Sequence, residues 1–193
     1  MIKLETDRLF LRPWEEKDRQ AFAEMNADPE VMRYFPSVLN TSESDKLYDK
    51  AIALTHDDGF CFSPVEAKAT GQFLGFVGLS VPRFDKPLPF LPCVEVGWRL
   101  IREAWGKGYA TEAASAWLRF GFETLSLDEI VSFTTVTNIP SQRVMERLGM
   151  TRDRADDFLH PALTDGHPLH QHVLYRLDRD KWAGQQELAQ SIL

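Results

Sequence analysis

The sequence predicts a single mixed α/β (α+β) domain, and three observations lead there. Apolar residues recur at helical spacing near the N-terminus and again after Tyr109. Short β-branched and aromatic runs, bounded by glycine and proline, lie between and after these stretches. The order is early helices, then hairpins, then alternating strand and helix, which suits helices packed on a largely antiparallel sheet. With 193 residues, 44% hydrophobic and 26% charged, the chain can bury a core without a metal or disulfide staple.

Each element has a local cause. Leu9-Phe10-Leu11 reads as a first strand, stopped by Pro13. Glu15 to Asn26 reads as a helix with Ala21, Phe22 and Met25 on one side. Asp28-Pro29 has the form of an N-cap with proline at the first helical position, so a short second helix is expected to about Tyr34. Thr41, Ser42 and Ser44 offer caps for a third helix to about His56, closed at Gly59. Phe60 to Glu66 and Gln72 to Val81 form a hairpin about Thr70-Gly71, where Pro64 marks an edge or a bulge. Pro82 to Pro92 holds four prolines and is an irregular loop. Cys93 to Ile101 is a fourth strand. Tyr109 to Glu123 is a helix with Ala110, Ala113, Ala114, Trp117 and Gly121 on one stripe. Glu129 to Val136 is a fifth strand, and Pro140 opens a short helix closed by Gly149. Strands at Met150 to Phe158 and Leu169 to Leu177 bring the total to about seven. The domain is expected to span residues 1–182, with 183–193 as a polar tail.

Composition narrows the function. Acidic residues outnumber basic ones by 29 to 22, giving a formal net charge of -7. That argues against a nucleic-acid or anionic-membrane binder and mildly favours a cationic partner. Cys61 and Cys93 are the only cysteines and lack metal or redox spacing. No apolar run approaches the ~20 residues that span a bilayer, and the N-terminus lacks the apolar core of a signal peptide. A cytoplasmic protein is expected, monomeric or, given edge strands near its C-terminus, homodimeric.

The chemistry concentrates between Val94 and Ala113. A strand runs into a loop holding Gly106 and Gly108, then into a helix. Glycines let the backbone turn sharply and approach a ligand. The helix start presents free N–H groups and the positive end of its dipole, a place for phosphate, and Lys107 adds a cation. Neither G-x-x-x-x-G-K-[ST] nor G-x-G-x-x-G is present, which sets aside P-loop and Rossmann sites.

Glu103-Ala104-Trp105-Gly106-Lys107-Gly108 resembles the coenzyme A pyrophosphate loop, R/Q-x-x-G-x-G/A, of the GCN5-related N-acetyltransferase (GNAT) superfamily, with Glu103 at the first position. Asn138 to Met150 resembles that family's N-x-x-[AS]-x-x-x-x-x-x-L-G-[FM] segment. With Thr6-Asp7-Arg8-Leu9-Phe10-Leu11-Arg12 and His172-Val173-Leu174-Tyr175-Arg176-Leu177, the pattern is similar to the RimJ/RimL-like branch over about residues 4 to 182.

The resemblance implies a GNAT fold whose fourth and fifth strands splay apart in a V. It implies acetyl-CoA as co-substrate, no metal, and direct attack by a primary amine in a ternary complex. The acceptor would be a protein N-terminus, a polyamine or a small amine. Cofactor-binding residues would be Trp98, Arg99 and Leu100 by their backbone, then Trp105, Gly106, Lys107, Gly108, Tyr109, Ala110 and Thr111, with Asn138 on the pantetheine arm and Arg143 on phosphate. A strand N–H such as that of Val96 would face the thioester oxygen. Glu95 interrupts an apolar strand and is the candidate base, with substrate orientation or a structural ion pair as its alternatives. Met145 stands where many relatives carry a tyrosine acid. That leaves Ser141 to hydrogen-bond the sulfur, or the thiolate to leave unprotonated. Ser141 equally suits a helix cap. A non-catalytic acyl-CoA binder and transfer of another acyl group, such as succinyl, are the remaining readings. Four of the five histidines fall between His160 and His172 and read as a wall of the acceptor site, with His172 near the reaction centre.

Overall fold

The structure, a computed structural model, describes residues 2–191; Met1 and the last two residues of the expected tail lie outside it. The strands are β1 (Leu4–Glu5), β2 (Leu9–Leu11), β3 (Ser63–Ala67), β4 (Phe73–Ser80), β5 (Glu95–Leu100), β6 (Glu129–Thr135), β7 (Thr151–Arg152), β8 (Phe158–Leu159) and β9 (Gln171–Asp178). They form one sheet in the order β1-β2-β3-β4-β5-β6-β9-β7, and β8 also pairs with β9. Every pair is antiparallel except β5–β6. The helices are α1 (Asp18–Ala27), α2 (Thr41–Asp58), α3 (Tyr109–Arg119), α4 (Ile139–Arg147) and α5 (Arg179–Ser191). None of them is long and apolar enough to cross a membrane.

The two faces of the sheet carry different helices. Val65, Val77, Leu79, Val96 and Leu100 pack with Ala113, Ala114 and Trp117 of α3. The alanines let the helix lie close to the strands. Phe76 faces the other way, onto Phe22 and Met25 of α1 and Tyr48 of α2. Each such side chain contributes roughly 1.5–3 kcal/mol by burial.

Several expectations need correction. The helix expected from Asp28 is a run of turns instead. Asp28 ends α1 in extended conformation, and its carboxylate accepts from the Glu30 amide (2.8 Å), an Asx turn that competes with a helix. The cap of α2 is Asn40 rather than Thr41, Ser42 or Ser44. Asn40 Oδ1 accepts from the Glu43 amide (3.0 Å) and Glu43 Oε2 accepts from the Asn40 amide (2.8 Å), a reciprocal capping box. The helix after Tyr109 widens into a π turn over Phe120–Thr124. Gly121 there lies so close to its neighbours that a Cβ would sit 2.6 Å from Ile130 Cδ1. The strand expected over Met150 to Phe158 is broken by a 3₁₀ turn at Arg154–Asp156 into β7 and β8. With β1 added, nine strands replace about seven. Pro64 sits inside the sheet. Its carbonyl accepts from Arg12 N (3.2 Å). A strand residue's N and O point to the same side, so the missing N–H faces the chain just where Pro13 ends β2.

One buried charge cluster ties the N-terminal strands to α1. Arg12, 6% exposed, donates from Nη1 and Nη2 to the two Asp18 oxygens (2.7 and 2.8 Å) and from Nε to Glu66 (2.8 Å). The hydrogen bond to Asp18 raises the Arg12 pKa above its ordinary value despite burial. Replacing Arg12 by Leu strands two carboxylates. Denaturant unfolding at neutral pH should then show a loss of about 3–5 kcal/mol.

Candidate functional site

The site begins where the sheet parts. β5 and β6 share one register pair, Glu95 with Val131, closed by Val131 N donating to Val94 O (2.9 Å). Ile101 N donates across to Leu74 O (3.0 Å), at the end of β4. Strand alternation therefore turns odd-numbered residues of β5 to β4 and even-numbered ones to β6. Past this bridge there is no β6 partner, so the main-chain groups of Trp98 line an opening, whereas Val96 is fully buried. The Leu100 carbonyl on that edge accepts from Trp105 Nε1 (2.9 Å). The expected backbone role of Arg99 is corrected by this geometry: its main chain faces β4 and its side chain reaches α1.

At the wide end of the splay lies the glycine loop. Gly106 and Gly108 have φ of 70° and 79°, values that side chains with a Cβ rarely adopt. Gly108 caps α3 without any side-chain hydrogen bond, so no side chain blocks the first-turn N–H groups. A Cβ at Gly106 would meet nothing within 4 Å. A diphosphate fits this cradle of open backbone. Lys107 is exposed at its tip.

Sequence reasoning missed the support of this loop. Arg8 Nη1 donates to Lys107 O (3.0 Å), and Arg8 Nε donates to Glu112 (2.6 Å). The Arg8 guanidinium lies over the Tyr109 ring, 4.6 Å from its centroid. Thr6 Oγ1 also donates to Glu112 (2.6 Å). Burial works against the charged form of Glu112, but the bonds from Thr6 and Arg8 outweigh it and hold the carboxyl below its ordinary pKa. The opening Thr6-Asp7-Arg8 motif is thus a brace for α3. The signal available was a Thr/Arg pair far in sequence from a lone acid in the first turn of a helix.

The facing wall is α4. Its cap is Asn138, whose Oδ1 accepts from Ser141 N (3.3 Å) while its Nδ2 donates to Thr134 Oγ1 (2.9 Å). Ser141 is therefore not the cap. Its Oγ accepts from Trp98 Nε1 (3.3 Å) across the splay. Met145, 1% exposed, borders the cleft and carries no transferable proton. Arg143 and Arg147 border it too, both exposed, Arg143 nearer the start of α4.

These walls enclose a cleft of about 1140 Å³. Of the site residues expected from sequence, all but Lys107 and Val96 line it. Its far side comes from the turns at Glu30 to Pro36 and the loop before β9, neither of which carries a motif. Glu95 sits at the narrow end, deep in the protein but open to the cleft. Among the described residues no hydrogen bond or ion pair engages its carboxylate, and burial pushes its pKa up to about 8. Gly97 makes room for it: a Cβ there would stand 2.9 Å from the Phe62 ring and 3.2 Å from Glu95 Oε1. The His172 and His160 rings meet at a tilt of 41°, 4.8 Å between centroids, on the cleft wall. Burial lowers the His172 pKa to about 4, so it is a neutral imidazole at pH 7 and a weaker base than Glu95. No group of three or more His, Cys, Asp or Glu converges on a metal position among the described residues.

Gly108→Val places a β-branched residue at φ of 79°. Calorimetry should show coenzyme A affinity at least about tenfold weaker, with the circular-dichroism spectrum unchanged. Arg8→Ala, which frees the Lys107 carbonyl, should weaken the same affinity several-fold.

Comparison with known proteins agrees with this geometry. Residues 8–151 match the family described as Acetyltransferase (GNAT) domain. The chain is 30% identical over 181 residues to the uncharacterized N-acetyltransferase YnaD of Bacillus subtilis, covering 94% of this chain and 99% of that protein. It is 29% identical over 195 residues to FsC-acetyl coenzyme A-N(2)-transacetylase of Aspergillus fumigatus, covering 95% and 79%. An acetyltransferase structure from Agrobacterium tumefaciens superposes with a TM-score of 0.73 at 29% identity, over 92% of this chain and 94% of that one. The parted strands, the uncapped glycine loop and these likenesses converge: the chain belongs to the GNAT acetyltransferase family.

Proposed function

We propose that the protein transfers an acetyl group from acetyl-CoA to a primary amine, by direct attack in a ternary complex. One observation carries this reading: an unpaired carboxyl, Glu95, stands where β5 and β6 part, in the cleft that ends at the open N-terminus of α3. The open backbone of Gly106 to Thr111 would hold the diphosphate, with Arg143 and Lys107 as cations beside it. The free main-chain edge at Trp98 would hold the pantetheine amides; the Val96 N–H, expected from sequence to face the thioester oxygen, is buried at the bridge to β6 instead. Bound coenzyme supplies the activated acetyl group.

Glu95 then has two tasks. An incoming ammonium stabilises its ionised form. The carboxylate next accepts a proton from the amine, directly or through water. At the other end of the reaction, Ser141 Oγ, held by Trp98, is placed to donate to the sulfur. A thiol of pKa about 8.5 can also leave as the anion. The acceptor is a protein N-terminal amine, a polyamine or a small-molecule amine. The name of the Aspergillus relative supports acetyl-CoA and a nitrogen acceptor. A 20%-identical ribosomal-protein-S5-alanine acetyltransferase from Vibrio fischeri shares the fold, with a TM-score of 0.72. We read the protein as RimJ/RimL-like, cytoplasmic, and a monomer or homodimer, with residues 1–182 as its transfer domain. Met145 supports a second reading, a non-catalytic acyl-CoA binder. Such a binder would gain thermal stability with coenzyme A yet release no thiol with any amine. A larger acyl group such as succinyl is tested by the same assay with its thioester.

Thiol release from acetyl-CoA across a panel of amines tests the transfer itself. With an amine of pKa well below 8, kcat/KM should rise with pH and level off above about 8. Glu95→Gln should lower turnover at least tenfold and abolish that rise while leaving acetyl-CoA affinity nearly intact. The same substitution should stabilise the fold. Below about pH 8 the native carboxyl holds its proton, whereas the unfolded one releases it near its ordinary 4.5. Native stability therefore falls as pH rises from about 4.5 to about 8. Calorimetric scans at pH 8 should show the Gln variant melting higher than wild type.

A further inference from the structure

The cleft contains a second charge that acetyl transfer does not use. Arg99 and Glu95 project from the same face of β5, four residues and about 13 Å of extended chain apart. Arg99 reaches toward α1, where Nη1 donates to Asn26 Oδ1 (2.5 Å). Asn26 is neutral and fully buried, and its Nδ2 is already given to Ser44 Oγ (2.9 Å). Arg99 Nε is buried and has no hydrogen-bond partner. Phe35 and Phe76 bracket the guanidinium, with centroids 4.0 and 5.3 Å away, and fix its plane. Among the described residues no carboxylate pairs with it. Burial lowers its pKa to about 10, which leaves it a cation at neutral pH.

The other buried arginine shows the contrast. Arg12 is met by two carboxylates, Asp18 and Glu66. Arg33, on the cleft rim, leans on Glu30 (3.5 Å). Burying a charge costs several kcal/mol unless a partner offsets it. Arg99 has no such partner among the described residues, yet it lines the main cleft and a smaller hollow of about 220 Å³ that shares Phe62 and Phe76 with it. With Nη1 bound to Asn26 and Nε sealed within the protein, Nη2 is the donor left to meet a carboxylate with a charge-assisted bond.

We infer that Arg99 is the receptor for a carboxylate on the acceptor, so that the substrate is an amine bearing an acid several bonds from its reacting nitrogen. This rests on the proposed transfer only in placing the amine at Glu95. The acid of such a substrate would meet the Arg99 cation, and its ammonium would meet the Glu95 carboxyl and favour its ionised form. A local cation thus overrides the net negative charge of the chain in choosing the acceptor.

The test uses β-alanine, γ-aminobutyrate and ε-aminocaproate, each beside its neutral amide. Binding is measured by calorimetry with coenzyme A present, a complex that cannot turn over. Wild type should bind the acid of at least one pair about tenfold more tightly than its amide. Arg99→Gln should abolish the preference. Asn26→Asp should do so too, because it supplies a counter-charge while leaving Arg99 and its ring contacts in place. The readout is a ratio within one protein, so a general loss of folding does not mimic it. Equal binding of acid and amide in all pairs by wild type overturns the inference. So does a preference that survives both substitutions, since the acid would then be read elsewhere. Thiol release from acetyl-CoA with the preferred acid tests transfer separately: a preference without release overturns the transfer reading and leaves the carboxylate subsite standing.

Discussion

The structure depends on a strand bridge that is made once and not repeated. Val131 N meets Val94 O, and from there β5 and β6 diverge. Had the ladder continued, the main-chain groups of Trp98 would be spent on β6 and the cleft would be closed. The parting is held open from both sides. β4 binds β5 along its whole length, from Gly75–Leu100 to Ser80–Glu95, and β9 binds β6 from Asp178 to His172. Trp98 and Ser141 then bridge the gap with a single side-chain bond (3.3 Å). Each strand is anchored by its outer neighbour, so neither needs the other.

Around this gap the chain separates charges that serve the fold from charges that serve the site. Structural ions are paired within the molecule: Arg12 with Asp18 and Glu66, Arg8 with Glu112, Arg152 with Asp157. The cleft groups Glu95 and Arg99 have no counter-charge among the described residues, and their pKa values move in the direction that burial alone dictates. An unpaired charge inside a protein is destabilising. Both stand on one face of β5, the strand that also offers its backbone edge to the splay. The stability forgone there is retained as affinity for whatever completes the pairs.

The glycine loop shows how remote sequence is recruited to the same end. Gly106 and Gly108 supply the positive φ angles, but their placement is set by Arg8, ninety-nine residues away from the Lys107 carbonyl it holds. Trp105 adds a tie to the end of β5 through the Leu100 carbonyl. The loop is thus clamped on both sides while its N–H groups stay open.

Much of this was legible in the chain. The helix stripe after Tyr109, the glycines at 106 and 108, the helix opened by Pro140 and the isolated acid at Glu95 are local signals, read from spacing and residue type. Legibility failed where local preference lost to packing. Asp28-Pro29 looks like a helix start, yet its carboxylate closes a turn, and Val31 and Met32 are buried beside the cleft. Pro64 is tolerated in the sheet because Pro13 ends the neighbouring strand. The sequence alone determined the fold class, the glycine loop before α3 and the isolated acid Glu95, because each depends on residues close together in the chain. Only the tertiary structure decided that β5 and β6 meet at a single pair, that Arg8 braces the loop, and that the Arg99 side chain turns toward Asn26. Those facts are set by which strands become neighbours and which charges find partners, and neither is encoded at short range.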